Sequence, residues 1–421
     1  MEDKILTLEG FIFDIPCITR YNHYDKKLKS ILLLLIALTF TSCDGTIGYY
    51  FYTRKIDNGG RIYRDNADAD DDTIRFFVDE NRWLMLMKAE VNGVEDTVLY
   101  DSGAGTPVTQ IYTEENKPEG MKFFRVPISG ADKKKKVKTT KIPVSIKTPM
   151  CIVEHFGDAM LLPASHSCDK EASIDDYTII GFLGLDFGNY TIDFTKNQIY
   201  SLPYKLQIDT TEYIPVKCKD DRNVIFIYPV INGIEYECIF DTGSGNGILI
   251  KDPQRVANRK DSDYLYQGSL AKSVHGVMEM QNFVAAPENT IEFAGTKNTV
   301  GVVYLESNLE RNNVGLQYIK KFDWIIEHKI DTVTQELSHK MYARPHISSD
   351  TSRQSIPRYG ISTHDGNLKI LTRLIDGKEV FKVGDIITSV NGEKITEENI
   401  CHYYDLLKDN QDWSEFEIEV R

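Results

Sequence analysis

The sequence predicts an all-β protein in which two tandem β lobes precede a small β/α module. Three observations point there. Runs rich in Val, Ile, Thr and Tyr recur between polar turns, with 28 glycines and 23 tyrosines in 421 residues. Such runs favour strands over helices. One stretch recurs at a shift of 140 positions, bringing Asn92-Gly93 onto Asn232-Gly233 and Asp101 onto Asp241. After residue 355 the pattern changes to strands followed by an amphipathic helix. A chain this long also exceeds one compact core. Its net charge of −14 argues against nucleic acid as a partner, since phosphate binding needs clustered Lys and Arg. The one basic run, Lys133 to Lys136, reads as a solvated hairpin tip.

Residues 1–43 form a signal segment. Lys26, Lys27 and Lys29 precede an apolar run at 31–40, then Thr41-Ser42-Cys43. The run is too short for a transmembrane helix, which needs about 20 apolar residues. A basic flank, a short apolar core and small residues mark a secretory signal peptide. With Cys43 directly after the small residues, the segment resembles a bacterial lipoprotein signal. That resemblance implies lipidation of Cys43 and a periplasmic or cell-surface protein held to the membrane by its anchor. Phe40 departs from the aliphatic residue usual three places before the cysteine, so a plain signal peptide or an uncleaved anchor stays open. Residues 1–25 are either a long leader or the result of an upstream start.

Residues 44–72 read as a flexible tether ending in alternating aspartates from Asp65 to Asp72. A calcium loop of the EF-hand type needs a glycine and a distal glutamate that this stretch lacks. Beyond Cys17 and Cys43, five cysteines remain: Cys151, Cys168, Cys218, Cys238 and Cys401. An odd number without recurrent spacing gives no disulfide framework. Cys218 and Cys238, on strands predicted to be neighbours, are either paired or buried thiols.

The repeat organises the two lobes, 73–205 and 206–345. In each copy an Asn-Gly lies between alternating apolar runs, the strongest short-range hairpin signal. The second strand of each hairpin ends in Asp-Ser-Gly (Asp101, Ser102, Gly103) or Asp-Thr-Gly (Asp241, Thr242, Gly243). A further shared pattern lies downstream: Ile179-Ile180-Gly181-Phe182-Leu183-Gly184 after the first Asp and Val314-Gly315-Leu316 after the second. Gly184 is aligned with Gly315 in this reading.

These residues, over roughly 73–345, resemble the retropepsin-like aspartic peptidases. Two lobes in one chain are similar to the pepsin arrangement, so the fold expected is a pepsin-like bilobal unit of two retropepsin-like β-barrels. The resemblance implies that Asp101 and Asp241 form a catalytic dyad hydrolysing peptide bonds of a peptide or protein substrate, with no cofactor and no metal. Two adjacent carboxyls cannot both ionise comfortably, so they share a proton and supply base and acid together. Gly103 and Gly243 let the chain turn sharply and bring N–H groups to the carboxylates. By the same resemblance Ser102 and Thr242 are expected to hydrogen-bond across to the opposite lobe. Flap hairpins are expected at 127–132 and 272–277. Asn313 stands where the pattern is usually apolar, and 331–335 stretches the closing strand of the second lobe. A non-catalytic peptide-binding lipoprotein with degenerate lobes is therefore the alternative, and a self-processing peptidase a third reading.

Residues 355–421 form the last module. Gly384-Asp385 to Asn391-Gly392, followed by a helix predicted over 397–408, closely resembles a PDZ domain. The resemblance places the peptide-binding loop at Tyr359, Gly360 and Ile361 and implies a C-terminal peptide as ligand, added as a strand. No zinc-peptidase, paired Cys-x-x-Cys or P-loop motif occurs.

Overall fold

A computed structural model describes residues 72–421 apart from 81, 130–133, 163–167, 169–176, 186–187, 222, 271, 274–275, 278, 308, 331–336, 347–357, 364–365 and 411. It also describes the strands Thr7–Leu8, Phe11–Ile12 and Ile62–Asp65. The apolar run at 31–40, Cys43, residues 66–71 of the acidic run and the 331–335 insertion lie outside the described residues. Among the described residues no helix is long and apolar enough to cross a membrane.

The chain is mostly β, and its two halves are built on one plan. In the first, β1 (Leu84–Val91) and β2 (Val94–Asp101) pair antiparallel. Asn92 and Gly93 turn between them at φ +50° and +84°. The second copy repeats this at Asn232 and Gly233, φ +51° and +84°, between Val230–Ile231 and Ile234–Glu235. Two consecutive left-handed residues are what a two-residue hairpin turn requires, which is why Asn-Gly stands at both. Each asparagine is also tied to a distant strand. Asn92 exchanges two hydrogen bonds with the Ser145 backbone, its N–H donating at 2.8 Å and its Oδ1 accepting at 2.8 Å. Asn232 does the same with Thr290, at 2.8 and 2.9 Å.

The second hairpin strand then delivers the aspartate into a crossed arrangement. β2 runs parallel to β4 (Thr178–Gly181), with Asp101 opposite Gly181, and β4 is antiparallel to β3 (Val108–Tyr112). In the second half β5 (Cys238–Asp241) runs parallel to β7 (Asn312–Gly315), with Asp241 opposite Gly315. Strand β7 is likewise antiparallel to β6 (Ile248–Lys251). Short helices follow at once, α1 (Phe182–Leu185) and α2 (Leu316–Ile319). This register corrects the sequence alignment: Gly181, not Gly184, corresponds to Gly315. A Cβ on Gly181 would overlap the Thr106 and Ala104 carbonyls, and one on Gly315 the Asn246 and Ser244 carbonyls. Gly184 lies inside α1, where close approach to Ile180 and Pro107 explains its own lack of a side chain.

The halves join edge to edge. Strand Tyr190–Asp193 pairs with Phe322–Ile330, Tyr190 facing Ile326, and Thr191 Oγ1 donates to the Trp324 carbonyl at 2.7 Å. One apolar cluster runs through both halves, including Tyr100, Phe182 and Tyr190 on one side and Phe240, Leu316 and Trp324 on the other. At its rim the fully buried Asp323 accepts from Thr195 N–H (3.1 Å) and Thr195 Oγ1 (3.0 Å) in the first half. Arg344 Nη2 (2.8 Å) and His346 Nε2 (2.7 Å) reach it from the second. Burial opposes ionisation there, but the His346, Arg344 and Thr195 hydrogen bonds outweigh it and hold Asp323 below the usual carboxylate range.

The C-terminal module extends the sheet of the second half. β8 (Tyr359–Ser362) pairs with β9 (Lys369–Leu374), and β9 pairs with Tyr264–Gly268, Leu374 facing Tyr266. Its helix α3 runs Ile400–Asp409. It starts later than predicted because Asn399 is the cap residue, its Oδ1 turned back to accept from Thr396 N–H at 2.7 Å.

The structure pairs two cysteines that the sequence did not link and leaves Cys218 and Cys238 as free thiols, one of the two alternatives left open. Cys168, reaching over from the first half, is disulfide-bonded to Cys401 on α3, while Cys151, Cys218 and Cys238 are free. Cys218 and Cys238 cannot pair. Both face Ile227, one from each side of strand Val224–Ile227, so a whole strand separates them. Two strand spacings amount to about 9–10 Å, beyond the ~7 Å Cα limit for a disulfide.

Candidate active site

The ends of β2 and β5 meet at the junction of the halves. The Asp101 and Asp241 carboxyls face each other across this junction, each lying against the glycine of the opposite loop. Each is held from its own loop: Gly103 N–H donates to Asp101 Oδ1 at 2.9 Å, Gly243 N–H to Asp241 Oδ1 at 3.0 Å. The loops are also pressed onto each other's carboxyl. A Cβ on Gly103 would lie 2.5 Å from Asp241 Cγ, and one on Gly243 would come closer still to Asp101 Cγ. Only glycine fits either place.

Beneath the carboxyls, Ser102 and Thr242 are buried and bridge the halves reciprocally. Ser102 N–H donates to Thr242 Oγ1 (3.0 Å) and Thr242 N–H to Ser102 Oγ (2.9 Å). Each hydroxyl then donates onward into the other half, Ser102 Oγ to the Phe240 carbonyl and Thr242 Oγ1 to the Tyr100 carbonyl, both at 2.8 Å. All four groups are satisfied, so the bridge fixes the spacing of the aspartates without leaving a buried polar atom unpaired.

Around the carboxyls the halves differ. Burial, then the neighbouring charge of Asp241 and the bond to it, hold Asp101 well above the usual carboxylate range, against the Gly103 and Ala104 N–H groups. Burial raises Asp241 too, but the Asn313 amide and the bond from Asp101 pull it back. Asn313 Nδ2 donates to Asp241 Oδ2 at 2.5 Å. Its own Oδ1 is buried without a partner, at a cost of about 1–3 kcal/mol. The matching residue in the first half is Ile179, packed among Leu84, Leu86, Leu99 and Tyr177. Thus Asn313, expected only to disturb packing, belongs to the site. Aligning the repeat on Gly181 and Gly315 reveals it, because each residue stands two before its glycine.

Comparison with protein-family models gives no match, and neither does comparison with curated proteins. Solved structures show weak likenesses. An aspartic proteinase from Irpex lacteus is 10% identical, over 66% of this chain and 99% of that one, with a TM-score of 0.34. A retropepsin-like aspartic protease from Rickettsia conorii is 13% identical, over 32% and 93%, with a TM-score of 0.21. Basic 7S globulin from soybean is 9% identical, over 65% and 94%, with a TM-score of 0.32. Likenesses this weak decide no activity, and proteinases and a 7S globulin stand side by side among them.

At the segments expected as flaps, Phe124–Ser129 pairs with the start of Lys134–Lys147 and Lys272–Ser273 with Gly276–Val277, while 130–132 and 274–275 lie outside the described residues. Tyr359, Gly360 and Ile361, predicted as a loop, lie in strand β8. Tyr359 is buried, stacked on Trp413 at 4.8 Å, and its hydroxyl accepts from Val380 N–H at 3.0 Å. Among the described residues no group of three or more His, Cys, Asp or Glu side chains could hold a metal ion.

Proposed function

We propose that this chain is an aspartic endopeptidase in which Asp101 and Asp241 activate water against a peptide bond. One observation carries the reading: two carboxyls, one from each half, are brought face to face above the reciprocal Ser102–Thr242 bridge, each against the opposite loop's glycine. In the cycle this supports, the ionised carboxylate takes a proton from water as the water oxygen bonds to the carbonyl carbon. The protonated partner gives its proton to the carbonyl oxygen. The first carboxyl then passes its proton to the amide nitrogen, and the C–N bond breaks. The second recovers a proton as the carbonyl reforms, restoring the singly protonated pair. A diverse peptide library incubated with the purified protein between about pH 3 and 8, the range spanning carboxyl titration, is expected to be cut. Asp101→Asn and Asp241→Asn should each lower cleavage about 10³-fold. A library left intact by the wild type sinks the proposal.

The second reading is a binding protein that does not turn over. The Asn313 amide against Asp241 Oδ2 favours it, since it occupies one face of a carboxylate that the chemistry uses. Under this reading wild type and Asp241→Asn bind peptides alike and neither cuts them.

Two accessory roles complete the proposal. Export with a lipid anchor at Cys43 rests on the signal segment, and the Cys168–Cys401 disulfide supports an oxidising compartment. Cys43→Ala should abolish incorporation of labelled fatty acid. Peptide docking at a PDZ-like module is supported by β8, the terminal strand of its sheet with α3 packed beside it. A docked peptide with a free C-terminus should lose binding when amidated.

A further inference from the structure

The two carboxyl environments match almost residue for residue. Glycine N–H groups donate to both inner oxygens, Ser102 mirrors Thr242, and Gly181 mirrors Gly315. The match fails at one register position. Ile179 lies opposite Leu99 on β2 and Thr109 on β3, and Asn313 lies opposite Ile239 on β5 and Leu249 on β6. Ile179 offers its carboxyl nothing polar. Asn313 offers an N–H to Asp241 Oδ2 at 2.5 Å and leaves its own Oδ1 buried and unpartnered.

An N–H can face only an oxygen that accepts, and an extra donor favours the ionised form of the carboxyl it reaches. A shared proton therefore has unequal places to sit. Its less favourable place is Asp241, where it would compete with the amide. Its more favourable place is Asp101, to which no side-chain amide among the described residues donates. The unpaired Oδ1 bears on why the amide is present. A buried polar atom with no partner weakens the fold, so packing alone favours the isoleucine already found in the other half.

We propose that Asn313 is a positioning residue that fixes the shared proton on Asp101 and leaves Asp241 as the carboxylate that draws the proton from water. This rests on the peptidase reading and assigns its two roles. In the cycle above, Asp241 accepts the water proton and later delivers it to the leaving nitrogen. Asp101 protonates the carbonyl oxygen and is reprotonated as the product carbonyl forms.

Because the two carboxyls share one proton, the pair is best read by a pH profile. Asn313→Leu keeps the size of the side chain and removes the donor. The acid limb of its kcat/KM profile should move up by about one pH unit, a tenfold loss at the acid end, with the alkaline limb little changed. A merely structural role would lower the whole profile evenly, and that result overturns the proposal. A second readout does not depend on turnover. Carboxyl 13C NMR titration of the full chain, assigned with Asp101→Asn and Asp241→Asn, should give the lower step to Asp241 in the wild type. In Asn313→Leu that step should rise. A lower step belonging to Asp101 overturns the proposal even if Asn313→Leu fails to fold. If the titration comes out as expected while no peptide is cut, the proton placement stands and the peptidase reading falls.

Discussion

The half carrying Asp101 and the half carrying Asp241 share four glycines set against each other's carboxyls or their own loop carbonyls, and differ in what stands beside each carboxyl. Gly103 and Gly243 each lie against the opposite carboxyl, and Gly181 and Gly315 each lie against carbonyls of their own loop. No side chain fits any of the four. Ile179 and Asn313 hold the same register position, and there the halves diverge. Sterics exclude a side chain at the four glycine positions in both halves, while the polarity beside each carboxyl differs.

The comparison can be broken most strongly at the glycines. Gly103→Ala and Gly243→Ala push a methyl into the opposite carboxyl, and misplacement of this order costs about 10²-fold in kcat. Gly243→Ala should be the worse of the two, because its added carbon comes closer. Steady-state kinetics would show whether the loops tolerate it. The bridge comes next. Ser102→Ala and Thr242→Ala each strip a hydroxyl that donates one hydrogen bond and accepts another, leaving buried N–H and carbonyl groups unpaired. Each should cost about 2 kcal/mol in denaturant unfolding, equally for the two halves, with Thr242→Ser close to wild type.

Charge should separate the halves more gently. Asp101 binds its proton more tightly folded than unfolded. That contribution is full below the ordinary value of 3.8 and is lost as pH rises through the raised folded value. At neutral pH the wild type therefore carries a penalty that Asp101→Asn lacks. The variant should be more stable there. The gain should be smaller for Asp241→Asn and should vanish for both below about pH 4. Thermal unfolding across pH measures both. Least of all, Asn92→Ala should cost about 1 kcal/mol and Asn232→Ala somewhat more. Asn232 alone adds a bond from Nδ2 to Asn289 Oδ1, at 2.8 Å.

The paired aspartates were legible because a repeat states the same geometry twice: Asn-Gly for the turn, then a strand ending in Asp-Ser/Thr-Gly. What escaped depended on contacts between distant segments. The downstream glycine was aligned three places too far along, because α1 carries a second glycine for its own packing and only strand register tells the two apart. Asn313 was visible as an oddity, yet its role needed the carboxyl it touches. The cysteine pairing was hidden for a related reason. Cys168 and Cys401 are separated by 233 positions, and nothing in their spacing links them. Cys218 and Cys238 looked like neighbours only because the strand between them could not be placed. The C-terminal segment was read as a separate module, and its sharing of a sheet with the second half depends on a pairing at Tyr266 that sequence periodicity does not encode.

The sulfur link between Cys168 and Cys401 also changes how damage to this chain would look. It closes a ring that contains Asp241 and leaves Asp101 outside. A backbone nick anywhere in that ring yields two polypeptides that still travel as one mass, with both aspartates aboard. Should the protein clip itself there, electrophoresis without thiol would show an intact band, and added reductant would reveal the fragments.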